Sequence, residues 1–128
     1  MGGVLGVGVD IVSIARMRRA IEDGGDAFMG KVFTLDERRA AAKSADPVSY
    51  LATVFAAKEA TFKTLDIDWE TGVQLSEVEV RHAASGQPRV TLRGTFAEYA
   101  EKRGGAQVLV SLSYERDYAV ACAVLLSH

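Results

Sequence analysis

The chain has 128 residues, of which 48% are hydrophobic and 25% charged, as expected for one globular domain spanning residues 1–128. A formal net charge of −2 argues against a nucleic-acid-binding protein, which usually carries a basic excess. A single cysteine excludes an intramolecular disulfide, and no apolar run approaches the roughly 20 residues of a membrane span. We therefore expect a cytoplasmic protein that binds neither nucleic acid nor a membrane.

The first predicted element is a strand over residues 4–11, in which valines alternate with glycines. Glycines weaken a strand unless another backbone or a ligand must come close. Asp10 ends this run, which looks buried. Ser13 can then cap a helix over about 14–22, and Gly24-Gly25 is expected to stop it.

Two further helices are predicted from their start signals. Thr34 and Glu37 have the spacing of a capping box, which opens a short helix ending near Ser44. Asp46-Pro47 places an acidic N-cap before a proline at the first helical position. The apolar positions that follow keep a helical period to about Leu65, and this is the longest predicted helix.

The second half of the chain is predicted to be rich in strands. Its elements are a hairpin around the turn at 85–88, a helix capped by Thr95 and a second hairpin that places Cys122 in the core. The resulting order β-α-α-α-β-β-α-β-β indicates an α+β fold, with an antiparallel sheet packed against the long helix.

Asp10 and Glu59 are the candidate metal-binding carboxylates. An isolated Asp after a strand is usually a turn residue, and Glu59 could form an ordinary i,i+4 surface pair with Lys63, worth about 0.3–0.5 kcal/mol. Glu59 nevertheless borders the core-facing side of its helix, where an unpaired charge is costly. Mg²⁺ is commonly held by one or two carboxylates plus substrate phosphates. Asp10 and Glu59 would suffice for that, with Lys63 close to the phosphate charge.

Other site templates are weaker. His82 and His128 are the only histidines, which excludes a histidine-based metal cluster, and the glycines match no phosphate-binding loop. The hydroxyls of residues 111–114, which include Ser113 and Tyr114, could line a site, but they could equally form the solvated face of a sheet.

Two motifs resemble those of the bacterial holo-acyl-carrier-protein synthases, which are small phosphopantetheinyl transferases. Residues 7–11 with Arg16 resemble the first motif, and residues 55–60 with Lys63 resemble the second and most diagnostic one. The likeness continues in order through the segments at Trp69, 72–73, 77–80, 86–88, 111–113 and 117–121, and so covers nearly the whole chain.

The resemblance implies transfer of 4′-phosphopantetheine from coenzyme A to a serine of an apo acyl carrier protein, giving adenosine 3′,5′-bisphosphate. It implies that Asp10 and Glu59 bind Mg²⁺ and that Asp10, Glu59 and Lys63 act in catalysis. It also implies a homotrimer with active sites between subunits. Residues expected to contact coenzyme A are Lys58, Lys63, Ser113 and Tyr114. Residues expected to contact the carrier protein are Arg16, Arg18 and Arg19.

The chain departs from the family pattern near the expected cofactor site. Tyr114 stands where the family usually has a histidine, and Val54 where it has a basic residue. Asp66 and Asp68 replace part of a glycine-rich stretch. Two alternatives therefore remain beside an active transferase. One is a non-catalytic protein that binds carrier proteins, and the other is a transferase that uses another pyrophosphate-containing donor.

Overall fold

A computed structural model of the chain describes residues 2–128. The predicted α+β order is confirmed, with two additional 3₁₀ turns at Trp69–Thr71 and Leu75–Glu77. The helices and strands are β1 (Val4–Ser13), α1 (Ile14–Val32), α2 (Leu35–Lys43), α3 (Pro47–Thr64), β2 (Val78–His82), β3 (Pro88–Leu92), α4 (Gly94–Lys102), β4 (Gly105–Glu115) and β5 (Tyr118–Ser127).

The strands form two antiparallel sheets around the long helix α3. The larger sheet has the order β1-β5-β4, and β2 and β3 form a separate hairpin. Helix α3 packs against the larger sheet on one side and against α1, α2 and β2 on others. Twelve of its 18 residues are buried, so α3 is the centre of the core rather than an amphipathic surface helix.

Local start signals act as predicted at three helices. At the start of α1 the Ser13 hydroxyl accepts a hydrogen bond from the Arg16 N–H at 3.2 Å. The Thr34 hydroxyl accepts a hydrogen bond from the Glu37 N–H while a Glu37 carboxylate oxygen accepts one from the Thr34 N–H, which completes the capping box. The Asp46 carboxylate accepts from the Ser49 N–H at 3.2 Å and from its hydroxyl at 2.7 Å, and it thereby caps α3.

One predicted helix boundary is confirmed and another is wrong. The predicted stop at Gly24-Gly25 is confirmed, because Gly25 (φ 54°, ψ −143°) has non-helical backbone angles and interrupts the helix there. A second helical segment follows directly across this kink, so that α1 as a whole extends to Val32. The start of α4 is capped by a residue from another segment of the chain, because the Glu77 carboxylate accepts a hydrogen bond from the Thr95 N–H at 2.9 Å. Thr95 lies inside the helix, so the prediction that it is the N-cap is wrong.

The larger sheet has one covered face and one open face. The glycines of β1 face α3, whereas Val7, Val9 and Ile11 point the other way and are 60%, 59% and 65% exposed. Cys122 lies opposite Val9 on β5 and is exposed, so its predicted place in the core is wrong. A two-residue period identifies two faces, but it does not say which face another element will cover.

None of the helices within residues 2–128 is long and apolar enough to cross a membrane.

Candidate active site

The covered face of β1 carries Asp10 toward helix α3. Asp10 follows Gly6 and Gly8 at two-residue intervals, so its side chain lies on the same face as these glycines. Only 18% of the Asp10 side chain is exposed. The carboxylate therefore sits at the seam between strand and helix instead of on an open turn.

Glu59 and Lys63 lie one turn apart on α3, beside this seam. The Lys63 ammonium donates to the Val9 carbonyl at 2.8 Å and to an Asp10 carboxylate oxygen at 3.2 Å. Lys63 thus pairs with the strand carboxylate rather than with Glu59, and the simple i,i+4 surface pair is not the arrangement found in the described chain.

Burial and the neighbouring Asp10 carboxylate both favour the neutral form of Glu59. Burial raises the pKa of the Glu59 carboxyl, the nearby Asp10 carboxylate raises it further, and the Lys63 ammonium opposes both effects. The two carboxylates therefore repel one another, and Lys63, which is paired with Asp10, offsets only part of this repulsion. A cation placed between them would relieve this repulsion.

Asp10 and Glu59 line the same cavity, which has a volume of about 480 Å³. Its polar edge also includes Ser13 and Arg16, from the end of β1 and the first turn of α1. Its apolar wall is formed by Ile11, Val12, Met17, Ala20, Phe28 and Phe55. The cavity combines paired carboxylates with an apolar wall, as binding sites commonly do.

The prediction that Lys58 contacts the cofactor is wrong for this arrangement. The Lys58 side chain is fully buried, and its ammonium forms a 2.8 Å ion pair with Glu37. It also donates to the carbonyls of Leu75 and Val78, so all three of its N–H groups are used inside the core. Burial lowers the pKa of Lys58, and the Glu37 charge opposes that shift.

Ser113 and Tyr114 lie in a different cavity from the carboxylates. This second cavity, of about 240 Å³, lies between the start of α3 and the ends of β2 and β4. It also contains a Tyr50–His82 pair, in which the tyrosine hydroxyl is 3.1 Å from the His82 Nδ1. Within one chain, Ser113 and Tyr114 are therefore separated from the predicted metal ligands, whereas Lys63, another predicted cofactor contact, lies beside Asp10.

A third cavity connects these two regions across the open face of the sheet. It has a volume of about 530 Å³ and is lined at one side by Ile11, which also borders the carboxylate cavity. On its other side it shares Ser113 and Tyr114 with the second cavity.

Arg16, Arg18 and Arg19 are exposed on α1, next to the carboxylate cavity. None of the three has a carboxylate within 4.0 Å among residues 2–128, in contrast to Arg81, which pairs with Asp36 and Glu79. Their guanidinium groups are therefore available to acidic groups of another molecule.

Two of the departures from the family pattern have local structural causes. Val54 is fully buried in α3 and is part of the hydrophobic core. Asp68 accepts from the Glu70 N–H at 3.0 Å and caps the 3₁₀ turn that carries Trp69. The Trp69 ring stacks on Phe62 with 3.8 Å between ring centroids, so this loop is built around an aromatic pair.

Sequence reasoning missed the apolar wall and the buried ion pair. Phe28 lies beyond the point where the first helix was expected to end, so its place in the cavity was not foreseen. The burial of Lys58 had a usable signal, because positions 51, 54, 58 and 61 recur at helical spacing along the core-facing side of α3. The partner Glu37 had no such signal, because its contact spans 21 positions.

Comparisons with known proteins agree on one family. The family model for the 4′-phosphopantetheinyl transferase superfamily matches residues 6–123. The holo-[acyl-carrier-protein] synthase of Halorhodospira halophila is 37% identical over 124 residues, which cover 97% of this chain and 98% of that protein.

Solved structures give the same result. The holo-[acyl-carrier-protein] synthase of Neisseria meningitidis superposes with a TM-score of 0.86 at 32% identity, covering 96% of this chain and 98% of that one. The synthase of Bacillus anthracis, solved in complex with CoA (3′,5′-ADP), superposes with a TM-score of 0.79 at 28% identity, covering 98% of both chains.

Proposed function

The chain belongs to the 4′-phosphopantetheinyl transferase superfamily, and we propose that it acts as a holo-acyl-carrier-protein synthase. In this reaction the serine hydroxyl of an apo acyl carrier protein attacks the pyrophosphate of coenzyme A. The new bond joins the serine oxygen to the phosphorus that carries pantetheine, and adenosine 3′,5′-bisphosphate leaves. The observation that carries the proposal is that Asp10 and Glu59 line one cavity and that the Lys63 ammonium contacts Asp10.

Asp10 and Glu59 fit a magnesium ion that is shared with the substrate. Residues 2–128 contain no group of three or more His, Cys, Asp or Glu side chains that could hold a metal alone. Mg²⁺ suits a two-carboxylate site because its remaining ligands are usually waters and phosphate oxygens. When bound, Mg²⁺ supplies positive charge against the pyrophosphate oxygens.

The protein's own groups would do the remaining chemistry. Glu59, directly or through a water molecule, accepts the proton that the serine hydroxyl loses. Lys63 offsets the negative charge of the transferred phosphate, and its contacts with Asp10 and the Val9 carbonyl hold the ammonium beside the Asp10 carboxylate. Such positioning and charge stabilisation carry most of the catalysis in phosphoryl transfer.

The open face of the larger sheet is the surface on which we expect a homotrimer to form. Its exposed apolar side chains are Val7, Val9, Ile11, Leu109 and Val120. A contiguous patch of this kind usually marks an interaction surface. A neighbouring copy packed here would bring its Ser113 and Tyr114 toward the carboxylate cavity, and coenzyme A would then bind between two subunits.

Arg16, Arg18 and Arg19 form the surface that we expect to meet the acyl carrier protein. Arg16 also lines the carboxylate cavity, so a partner bound to α1 would be close to the reacting groups. Attraction between these guanidinium groups and an acidic partner would speed association and weaken with salt. The cytoplasmic location stays a prediction.

Intact-mass analysis of an apo acyl carrier protein incubated with this protein, coenzyme A and Mg²⁺ tests the proposal. We expect a gain of one phosphopantetheinyl group that is lost on metal chelation. Asp10→Asn and Glu59→Gln keep side-chain volume but remove charge, and each should slow transfer by about a hundredfold or more. Glu98→Gln, an exposed change on α4, is the control and should transfer normally.

A carrier protein left at its unmodified mass would contradict the proposal. Calorimetry with coenzyme A would then separate the two alternatives. Absence of coenzyme A binding would favour a non-catalytic binding protein, and preference for another pyrophosphate compound would favour a different donor.

A further inference from the structure

The backbone of β1 touches helix α3 at two glycines. A Cβ atom built on Gly8 would lie 2.0 Å from the Ala60 carbonyl oxygen and 3.0 Å from the Lys63 Cβ. A Cβ built on Gly6 would lie 2.1 Å from the Thr64 carbonyl oxygen. Real Cβ contacts are essentially never shorter than 3.0 Å. The strand and the helix are therefore closer than any side chain at these positions would allow.

The spacing of the two contacts follows from simple geometry. Two residues of a strand span about 6.6 Å and four residues of a helix rise about 6 Å, so alternate strand residues meet successive helical turns. Because Gly6 meets Thr64 and Gly8 meets Ala60, the chains run in opposite directions. The next strand position on this face is Asp10, and Glu59 immediately precedes Ala60.

We infer that Gly8 is a positioning residue that sets the separation of Asp10 and Glu59, and through it the selectivity for Mg²⁺. This inference rests on the proposed function, in which the two carboxylates share a metal. An alanine at position 8 must move the Ala60 carbonyl from 2.0 Å to at least 3.0 Å, so α3 must withdraw at the level of Glu59.

Such a shift affects Mg²⁺ more than a larger ion. Mg²⁺ requires near-ideal octahedral geometry with ligands at about 2.0–2.1 Å, whereas Ca²⁺ accepts variable geometry at about 2.3–2.6 Å. Displacement of α3 by about 1 Å should therefore weaken the binding of Mg²⁺ more than the binding of Ca²⁺. A residue that only packs the core would have no reason to change the preference between the two ions.

Gly6 provides a matched control within the same seam. Its clash with an α3 carbonyl would be as deep as that of Gly8, but it lies one helical turn farther from the carboxylates. Gly6→Ala and Gly8→Ala should therefore cost similar folding stability. Only Gly8→Ala should move the carboxylates relative to each other.

Calorimetric titration of the whole protein with Mg²⁺, and separately with Ca²⁺, gives the Kd of each ion. Coenzyme A is present and the carrier protein is omitted, so that no turnover occurs. For Gly8→Ala we expect the Kd of Mg²⁺ to rise about 10–100-fold, as when groups that orient metal ligands are altered, and the Kd of Ca²⁺ to rise less. For Gly6→Ala both values should stay within about threefold of wild type, while urea denaturation reports comparable destabilisation of the two variants.

A second pair of variants leaves Gly6 and Gly8 unchanged, so the spacing of the carboxylates can still be tested if Gly8→Ala does not fold. Glu59→Asp withdraws the carboxylate by one C–C bond, about 1.5 Å, and should weaken Mg²⁺ more than Ca²⁺. Adding Asp10→Glu lengthens the opposite carboxylate side chain by the same amount, and the double variant should regain part of the Mg²⁺ affinity. Wild-type Mg²⁺ affinity in Glu59→Asp would show that the spacing is not limiting and would overturn the inference.

The remaining outcomes separate this inference from the proposed function. If wild-type protein binds Mg²⁺ and transfers phosphopantetheine, but Gly8→Ala keeps the wild-type ion preference, the role of Gly8 is refuted and the function stands. The same holds if Gly6→Ala shifts the preference equally. If wild-type protein binds no Mg²⁺ beside coenzyme A, the metal assignment fails and the role of Gly8 fails with it.

Discussion

Replacing Lys58 with methionine should destabilise the fold and leave coenzyme A binding unchanged. The Lys58 ammonium is fully buried, lies 2.8 Å from a Glu37 carboxylate oxygen and donates to two backbone carbonyls. Methionine keeps most of the side-chain volume but removes the charge and all three donors. The variant therefore tests whether this lysine, next to Glu59 in the sequence, belongs to the core or to the cofactor site.

The expected loss follows from the contacts that remain. Removing one partner of a buried ion pair usually costs about 3–5 kcal/mol, because the other charge stays buried. Glu37 would still accept hydrogen bonds from the Thr34 N–H at 2.8 Å and the Val80 N–H at 2.7 Å. These donors place the expected loss near the lower end, at about 3 kcal/mol. For a domain of this size that lowers Tm by about 10–15 °C.

Urea denaturation gives the free energy of unfolding, and steady-state kinetics well below Tm gives KM for coenzyme A. The exposed Lys43 provides the control, since Lys43→Met should change neither quantity. In the Lys58→Met background, Glu37→Gln should recover part of the stability because it removes the unpaired charge. A several-fold rise in KM with Tm unchanged to within about 2 °C would refute the assignment of Lys58 to the core.

Three further predictions concern the helix cap, the arginines and the open sheet face. Hydrogen bonding from the Ser49 hydroxyl and N–H lowers the pKa of Asp46 below its usual 3.8, so its stabilising contribution is present above about pH 4 and lost as the pH falls through the lower folded value. Asp46→Ala should therefore cost about 1 kcal/mol in urea denaturation at pH 7 and much less at pH 2, and an equal loss at both would contradict this cap. Arg16→Ala should raise KM for the acyl carrier protein several-fold at low salt, with a smaller effect at high salt, and an unchanged KM would count against its role in binding. If the wild-type protein is the proposed trimer, Ile11→Asp places a charge on its interface and should give monomers in light-scattering measurements; a trimer that survives the change would place the interface elsewhere.

Features that depend on neighbours in the sequence were predictable. The capping box of Thr34 and Glu37 and the Asp46-Pro47 helix start involve residues at most three positions apart, so their residue types alone specify the hydrogen bonds. The order of helices and strands follows from the same local signals. The two carboxylates and Lys63 were identified through motifs that resemble one family, and comparisons over nearly the whole chain confirm that family.

Contacts between distant segments were decided by the tertiary structure. Sequence alternation in β1 indicated two faces, but only the packing of α3 shows that the glycines are covered and the valines are open. Lys63 could reach a neighbour on its own helix, yet its ammonium binds Asp10, which is 53 positions away, because β1 lies directly against α3.

Lys58 and Glu59 are adjacent in the sequence, yet the tertiary structure gives them different surroundings. Adjacent helical residues point about 100° apart, so one side chain enters the core and meets Glu37 while the next borders the cavity with Asp10. The sequence by itself determined which charged residues are candidates for the site and which local elements hold them. The fold decided which of these charged groups face each other. For Asp10 and Lys63 this depends on how closely the glycines of β1 allow α3 to approach.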